Sequence, residues 1–441
     1  MNRKASSLRI ALLAALALLP LPAVAEDSFP PAGRVAGYVN SELPSWLWIG
    51  GEERVRVESL HGAGFQPGAD SYPLQRLRLR LGIRVRPWLK FNFEGQDSRV
   101  FSHEVSPAPA SLRNPMDLRQ GYVEAGDVET GSFRVRAGRQ SLHFGEGRLV
   151  EDSEWSNTGL TFDAMRLTMR GGRFRVDAFS GAPVRVNTRG FDKPAHAERL
   201  HGLYGSIERL IPNATIEPYL FLRRMDLPFG EGAEAGKLNS RTAGFRWAGV
   251  LSSSFDYEME MTLQRGTQAE QDVSAWASSW VFGYAPIHAR HHPRFFVKMD
   301  RASGDRNPHD RVHGGFSSLY SHAEDGYDTA SLFGNTNLVH ARPGAEFRLR
   351  ENLAFTLAYH SYWRASQFDG LYNGPGERIV EAGVSRSKHI GQGADVQASW
   401  SPGRDTSVEL TVGRLLPGAF LRDGGRGSAY TYVFLGLTQR F

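Results

Sequence analysis

The chain of 441 residues has no cysteine, and beyond its N-terminus it has no run of about 18 apolar residues, which excludes a disulfide scaffold, a zinc–thiolate centre and a helical membrane span. Its 52 Lys and Arg stand against 47 Asp and Glu, and a formal net charge of +5 is too small to define a partner by bulk charge alone. Glycine at 48 positions and aromatics at 11% suit many strands joined by tight turns.

The N-terminus carries Arg3 and Lys4, an apolar run from Leu8 to Leu19, and Ala23-Val24-Ala25 before Glu26. This predicts a secretory signal peptide over residues 1–25, cleaved after Ala25; an uncleaved anchor is the alternative, for which the apolar run is short. Loss of Arg3, Lys4 and Arg9 with the leader leaves 49 basic and 47 acidic residues. Residues 26–45 are then expected as a periplasmic segment and residues 46–441 as the folded domain.

From there the chain divides into eighteen alternating runs near 47–60, 72–86, 88–99, 116–126, 131–142, 160–170, 173–181, 199–210, 214–225, 239–249, 254–266, 272–284, 292–303, 337–350, 353–365, 387–401, 405–417 and 428–441. Each is close to the ~10 residues that a tilted strand needs to cross a bilayer. The second run holds the clearest signal. From Arg76 to Arg86 it reads RLRLRLGIRVR. Successive strand side chains point to opposite faces, so Leu77, Leu79, Leu81, Ile83 and Val85 share one face and Arg76, Arg78, Arg80, Arg84 and Arg86 share the other. Five guanidinium groups in one row need water or anions beside them; lipid outside and an aqueous lumen inside satisfy both faces.

Other runs repeat the design. In 131–142, Phe133, Val135 and Ala137 oppose Arg134 and Arg136; in 173–181, Phe174, Val176 and Ala178 oppose Arg175 and Asp177. In 254–266 an apolar row from Phe255 to Leu263 opposes Asp256, Glu258 and Glu260, so the interior is expected to be zoned into basic and acidic walls. The last run alternates back from Phe441 through Leu437, Leu435 and Val433, as in the insertion signal of outer-membrane barrels, with Gln439 departing from it.

Connections alternate between tight ones, such as 86–88, 171–172, 211–213, 251–253, 351–352 and 401–404, and long ones, such as 61–71, 100–115, 143–159, 182–198, 226–238, 304–336, 366–386 and 418–427. The fold class expected is therefore all-β: a transmembrane antiparallel β-barrel of about 18 strands with short periplasmic turns and longer extracellular loops. An even strand number puts both ends on the periplasmic side. A soluble β-sandwich or propeller is the alternative.

Residues 138–167 carry Gly138-Arg139-Gln140, Arg148-Leu149, Trp155, Asn157, Gly159 and Thr161-Phe162-Asp163. Further blocks are Ala302-Ser303-Gly304-Asp305-Arg306-Asn307-Pro308 with Asp310, Arg342-Pro343-Gly344, Tyr359-His360, Trp363, Asp369-Gly370-Leu371-Tyr372, and Ile390-Gly391 with Asp395. In this order they closely resemble the bacterial alginate export family, with Leu160 at a place commonly basic there. The resemblance implies an eighteen-stranded monomeric barrel in the outer membrane, with an electropositive lumen that passes an anionic polysaccharide.

Arginine suits a polyuronate because its guanidinium binds a carboxylate bidentately and stays charged at any relevant pH. Side chains two apart on a strand stand roughly 6.5–7 Å apart, and each contact in a wet pore is worth on the order of 1 kcal/mol at ~4 Å. That is weak enough for cargo to leave. The candidate lumen contacts are Arg76, Arg78, Arg80, Arg84, Arg134, Arg136, Arg139, Arg166 and Arg175, with Asp163 and Glu154 as carboxylates that hold some of them in place. No nucleotide-binding loop is present, so transport is expected to be passive. No cofactor is called for. The partners expected are the polysaccharide, outer-membrane lipids, the barrel insertion machinery and periplasmic secretion components.

Competing signals are weaker. His288, His291 and His292 lie at an expected turn without a carboxylate partner, so exposed turn histidines are favoured over a metal site. Asp305–Asp310 lacks EF-hand spacing and reads as a loop ordered by Asp and Asn. Ser385 and Lys388 have an S-x-x-K spacing that recurs by chance. The basic runs have few stacking aromatics on the same face, against nucleic-acid binding. Three readings stay open: an exopolysaccharide channel, an anion-selective or general porin for small solutes, and a barrel enzyme whose catalytic groups are scattered over several strands. Loop 304–336 is long enough to fold into a pore, whereas 401–404 is not.

Overall fold

A computed structural model describes residues 32–103, 109–128, 131–227, 236–321, 332–374 and 376–441. The expected leader lies outside the described residues. Eighteen long strands form the wall: β1 (Leu47–His61), β2 (Ala69–Arg86), β3 (Leu89–Val100), β4 (Asn114–Asp127), β5 (Phe133–Gln140), β6 (Phe162–Gly171), β7 (Phe174–Arg185), β8 (Glu198–Glu208), β9 (Ala214–Leu227), β10 (Gly236–Ser252), β11 (Phe255–Gln268), β12 (Gln271–Tyr284), β13 (Arg294–Ala302), β14 (Leu338–Arg350), β15 (Leu353–Arg364), β16 (His389–Trp400), β17 (Thr406–Pro417) and β18 (Tyr430–Arg440). Every strand pairs antiparallel with its chain neighbours, and β18 pairs with β1, Leu437 opposite Val55 and Phe434 opposite Glu58. The sheet is a closed barrel. Each of the eighteen runs read from the sequence is one of its strands.

Alternation decides which face is which. Leu79, Leu81 and Val85 on β2, Phe133 on β5, Met165 and Met169 on β6, Phe255 and Leu263 on β11 and Leu435 and Leu437 on β18 are all exposed. An apolar belt of this extent, continuous over the wall, is a lipid surface; a water-soluble protein keeps such patches far smaller. The opposite rows are charged and buried, and they face the interior. The observed fold accounts for the contradiction that a soluble sandwich or propeller would leave, with apolar rows outside and arginines inside.

One end of the barrel is closed by tight links such as Pro87-Trp88 and Gly171–Phe174, the other by long loops. The link at Ala269-Glu270 is a short hairpin among those longer loops. Two segments turn inward. Residues 141–161 and 303–321 meet at a parallel bridge between Val150 and Tyr320. They seed two buried clusters, one around Phe144, Phe162, Phe221 and Phe316, the other around Phe333, Tyr362, Leu371 and Phe420. Loop 304–336, long enough to fold inward, is buried at Phe316, Tyr320 and Phe333. Asp305, Asn307 and Asp310 accept hydrogen bonds from the backbone of Asn307, His309 and Val312, so this stretch is ordered as the sequence indicated.

Helix α1 (Arg34–Glu42) lies within the N-terminal segment and packs at the short-turn end. Asn40 exchanges two hydrogen bonds of 2.8 Å with the backbone of Ile49, and Arg34 meets Asp405.

Candidate functional site: an arginine wall and the loop that occupies it

The register of β1 to β4 gathers the basic row. Glu52 stands opposite Arg78 and Arg54 opposite Arg76 across β1–β2; Arg78 stands opposite Gln96 and Arg80 opposite Glu94 across β2–β3. A register shift on β4 brings Arg119 onto the same inner surface. Six guanidinium groups (Arg54, Arg56, Arg76, Arg78, Arg80 and Arg119) thereby share one wall with Glu52, Glu58 and Glu94. The wall acids balance part of this charge: Arg80 Nε donates to Glu94 at 2.5 Å, Arg119 Nη1 donates to Glu94 at 2.7 Å, and Arg76 Nη2 donates to Glu52 at 2.8 Å.

Further donors of the wall reach the inward loop 141–161. Arg54 donates to the carbonyls of Glu154, Trp155 and Ser156, Arg56 to that of Trp155, and Arg76 to those of Glu154 and Ser156. The Trp155 ring lies 4.1 Å from the Arg56 guanidinium, a cation–π contact. Glu154 brings a fourth carboxylate, accepting from Arg78 at 2.5 Å, Arg119 at 2.9 Å and Arg76 at 3.3 Å. Desolvation beside the wall would by itself push the half-exposed carboxyl up, but Arg78, Arg119 and Arg76 outweigh that and hold it well below the usual carboxylate range.

Two further residues of the family-like segment explain how the loop is held. Asn157 Nδ2 donates to the carbonyls of Gln75, Arg99 and Leu112, which pins the loop to the wall between β2, β3 and the β4 approach. Gly159 has φ +70°, and a Cβ there would stand 3.1 Å from Arg119 Nε and 3.3 Å from Arg78 Nη2. Glycine fits both demands.

The rest of the interior is zoned as expected, with a difference. Arg134 and Arg136 face inward on β5 near Glu124, and Arg136 also lies over the Tyr122 ring. Arg166 and Arg175 share Asp177, and Arg84 continues the inner row of β2. Across the lumen the β11 acids are not free. Glu258 and Glu260 take Arg148 from the inward loop, Glu258 also takes Arg246, and Asp256 takes Arg294.

Arg139 and Asp163 correct the expectation. The ladder puts Arg139 in register with Gly121 and Asp163, in the row of Phe133, Val135 and Ala137, which is the outer row. The two pair at 2.8 Å, and Arg139 also donates to the carbonyls of Leu118 and Asp192. Asp163 thus holds an arginine, but not one on the lumen wall. Counting by twos from Arg134 and Arg136 reaches Gly138, so parity alone would have excluded Arg139. Arg54 and Arg56 were missed although Glu52, Arg54, Arg56 and Glu58 alternate with outward Val55 and Val57. Arg119 carried no such signal, because the register shift breaks the period.

A closed eighteen-stranded barrel with an apolar exterior and a charged interior is an outer-membrane channel protein. The chain belongs to the alginate export family, whose model matches residues 45–435. Solved structures of similar fold include Pseudomonas aeruginosa OpdK with vanillate (TM-score 0.62, 11% identity, covering 89% of this chain and 98% of that one). A BenF-like porin from Pseudomonas fluorescens Pf-5 (TM-score 0.61, 9% identity, 90% and 98%) and Pseudomonas aeruginosa OpdO (TM-score 0.60, 12% identity, 91% and 99%) are similar to the same degree. No curated protein sequence matches significantly.

Proposed function

We propose that this channel passes an anionic exopolysaccharide, alginate or a similar polyuronate, outward across the outer membrane. The observation that carries this reading is the row of lumen-facing guanidinium groups on β1, β2 and β4, which already holds the Glu154 carboxylate of the inward loop. Guanidinium groups repeated along the wall suit a polymer that carries a carboxylate on each sugar and must be bound and released step by step. The conduit is passive and not catalytic. The chain is made with a cleaved leader over residues 1–25, and α1 sits on the periplasmic side. The barrel works as a monomer among outer-membrane lipids, after insertion by the barrel machinery, and receives its polymer from periplasmic secretion components.

The test is reconstitution in a planar bilayer with recording of ion selectivity and of current block by added polymer. Anion selectivity with block by polyuronate, and none by neutral glucan, is expected. Cation selectivity would defeat the proposal.

A second reading, a porin for small carboxylates, is favoured by one neighbour: OpdK was solved with vanillate, itself a carboxylate. Under it, polyuronate would leave the current unaffected while small aromatic acids would permeate.

A further inference from the structure

We propose that Arg76, Arg78 and Arg119 form a discrete carboxylate subsite, that Glu154 is its tethered occupant, and that a uronate carboxylate of the cargo takes its place by exchange. The inference rests on the polyuronate reading given above and adds to it the site where the polymer displaces part of the protein.

Accessibility supports exchange. The three arginine side chains are almost fully enclosed, at 0 to 4% of their free surface, whereas Glu154 keeps 48% of its own. Within this constellation the carboxylate is the member that meets the lumen. A solute that reaches Arg78 from the pore side therefore comes to the place that Glu154 holds. Arg78 Nη2 has no hydrogen-bond partner among the described residues, so the pocket keeps a buried donor that a second carboxylate oxygen could use.

The anchors permit the movement. Asn157 and the carbonyls of Trp155 and Ser156 hold the loop to the wall through bonds that do not involve the Glu154 side chain. Rotation of that one side chain vacates the subsite while loop 141–161 stays in place. When Glu154 leaves, the six wall arginines face Glu52, Glu58 and Glu94 alone, which raises the attraction for an incoming anion. When cargo leaves, Glu154 returns and shields the arginines. No atoms are exchanged beyond carboxylate contacts, and no proton moves.

Glu154→Gln keeps the side-chain shape and removes the competing charge. In planar bilayers the half-blocking concentration of polyuronate oligomers should fall roughly tenfold relative to the natural protein, equivalent to ~1.4 kcal/mol. Glu154→Ala should behave alike, and neutral glucan should block neither. Heat-modifiable mobility on gels reports folding, and if the Ala variant misfolds the isosteric Gln variant carries the test. Block of the natural protein with equal or weaker block of Glu154→Gln would overturn the subsite and leave the cargo reading intact. Absence of polyuronate block in both proteins would remove the cargo reading and this inference with it.

Discussion

His340 Nε2 and His360 Nδ1 lie 3.1 Å apart, and the other ring nitrogen of each meets a carboxylate, Asp300 at 3.2 Å and Asp395 at 2.8 Å. The two rings are nearly parallel, and Tyr362 adds its hydroxyl to His360 at 2.9 Å. This buried chain links β13, β14, β15 and β16 along the inner wall, with both rings and both carboxylates almost fully shut away from solvent.

Truncation at its centre should therefore be costly. His360→Ala would leave Asp395 and His340 each short of a buried partner, and a loss of about 2–4 kcal/mol is expected. Tyr432→Phe, which removes a hydroxyl 3.5 Å from Asp395 and leaves both histidines and both aspartates paired, should cost less. Urea unfolding of the two variants in detergent measures the contrast. Equal midpoints would show that the chain is not a stabilising unit.

The inward loop has a titrating tether of its own. His143 lies 3.4 Å from Asp152 with about half of its side chain exposed, and hydrogen bonding to Asp152 raises its pKa above the ordinary histidine value. A raised folded-state value means that the pair stabilises the loop fully below the unfolded pKa and loses that contribution as pH climbs through the folded value. Loop 141–161 is thus expected to be held more firmly in mildly acidic than in alkaline solution, by a small margin because solvent screens the pair. Asp152→Asn should bring the His143 midpoint down when its ring protons are followed by NMR. An unmoved midpoint would rule Asp152 out as the cause.

Arg364, at the end of β15, donates to the carbonyls of Gln367, Asp369, Ala382, Ser385 and Ser387 and sits 3.7 Å from the Phe420 ring in helix α2 (Ala419–Asp423). A planar five-donor group meets this spread of acceptors; an ammonium cannot. Arg364→Lys should destabilise the loops 365–388 and 417–430 by roughly 3 kcal/mol. Limited proteolysis should then cut within 365–388 at protease levels that leave the natural protein whole. Resistance equal to that of the natural protein would refute the role.

The wall was legible because a membrane barrel makes period two unambiguous: Leu77 to Val85 must meet lipid, which forces Arg76 to Arg84 inward. That contrast is absent in loops. Nothing in the spacing of Glu154, Trp155 and Asn157 says that their segment enters the lumen; the family resemblance marks Trp155 and Asn157, and Glu154 enters only as a carboxylate expected to hold arginines in place. The register shift at Arg119 adds a residue without a sequence signature, so an arginine that contacts both Glu94 and Glu154 stayed hidden among Leu118 and Gln120. Arg139 failed for the opposite reason. It sits near the long-loop end of β5, where Asp163 and the carbonyls of Leu118 and Asp192 satisfy a guanidinium on the outer row, so a charge there is no guide to the lumen.

That placement separates the two kinds of arginine experimentally. Arg139→Gln removes a positive charge from the outer row, behind the wall as seen from the pore, and should leave ion selectivity unchanged. Arg80→Gln removes one from the inner row, where the side chain is a quarter exposed, and should lower anion preference. At ~7 Å from a permeating ion and an effective dielectric constant near that of water, one charge is worth on the order of 0.6 kcal/mol, or a factor of roughly three in relative permeability. Reversal potentials across a salt gradient resolve that difference. If Arg139→Gln shifts the reversal potential as much as Arg80→Gln does, the assignment of Arg139 to the outer row is wrong.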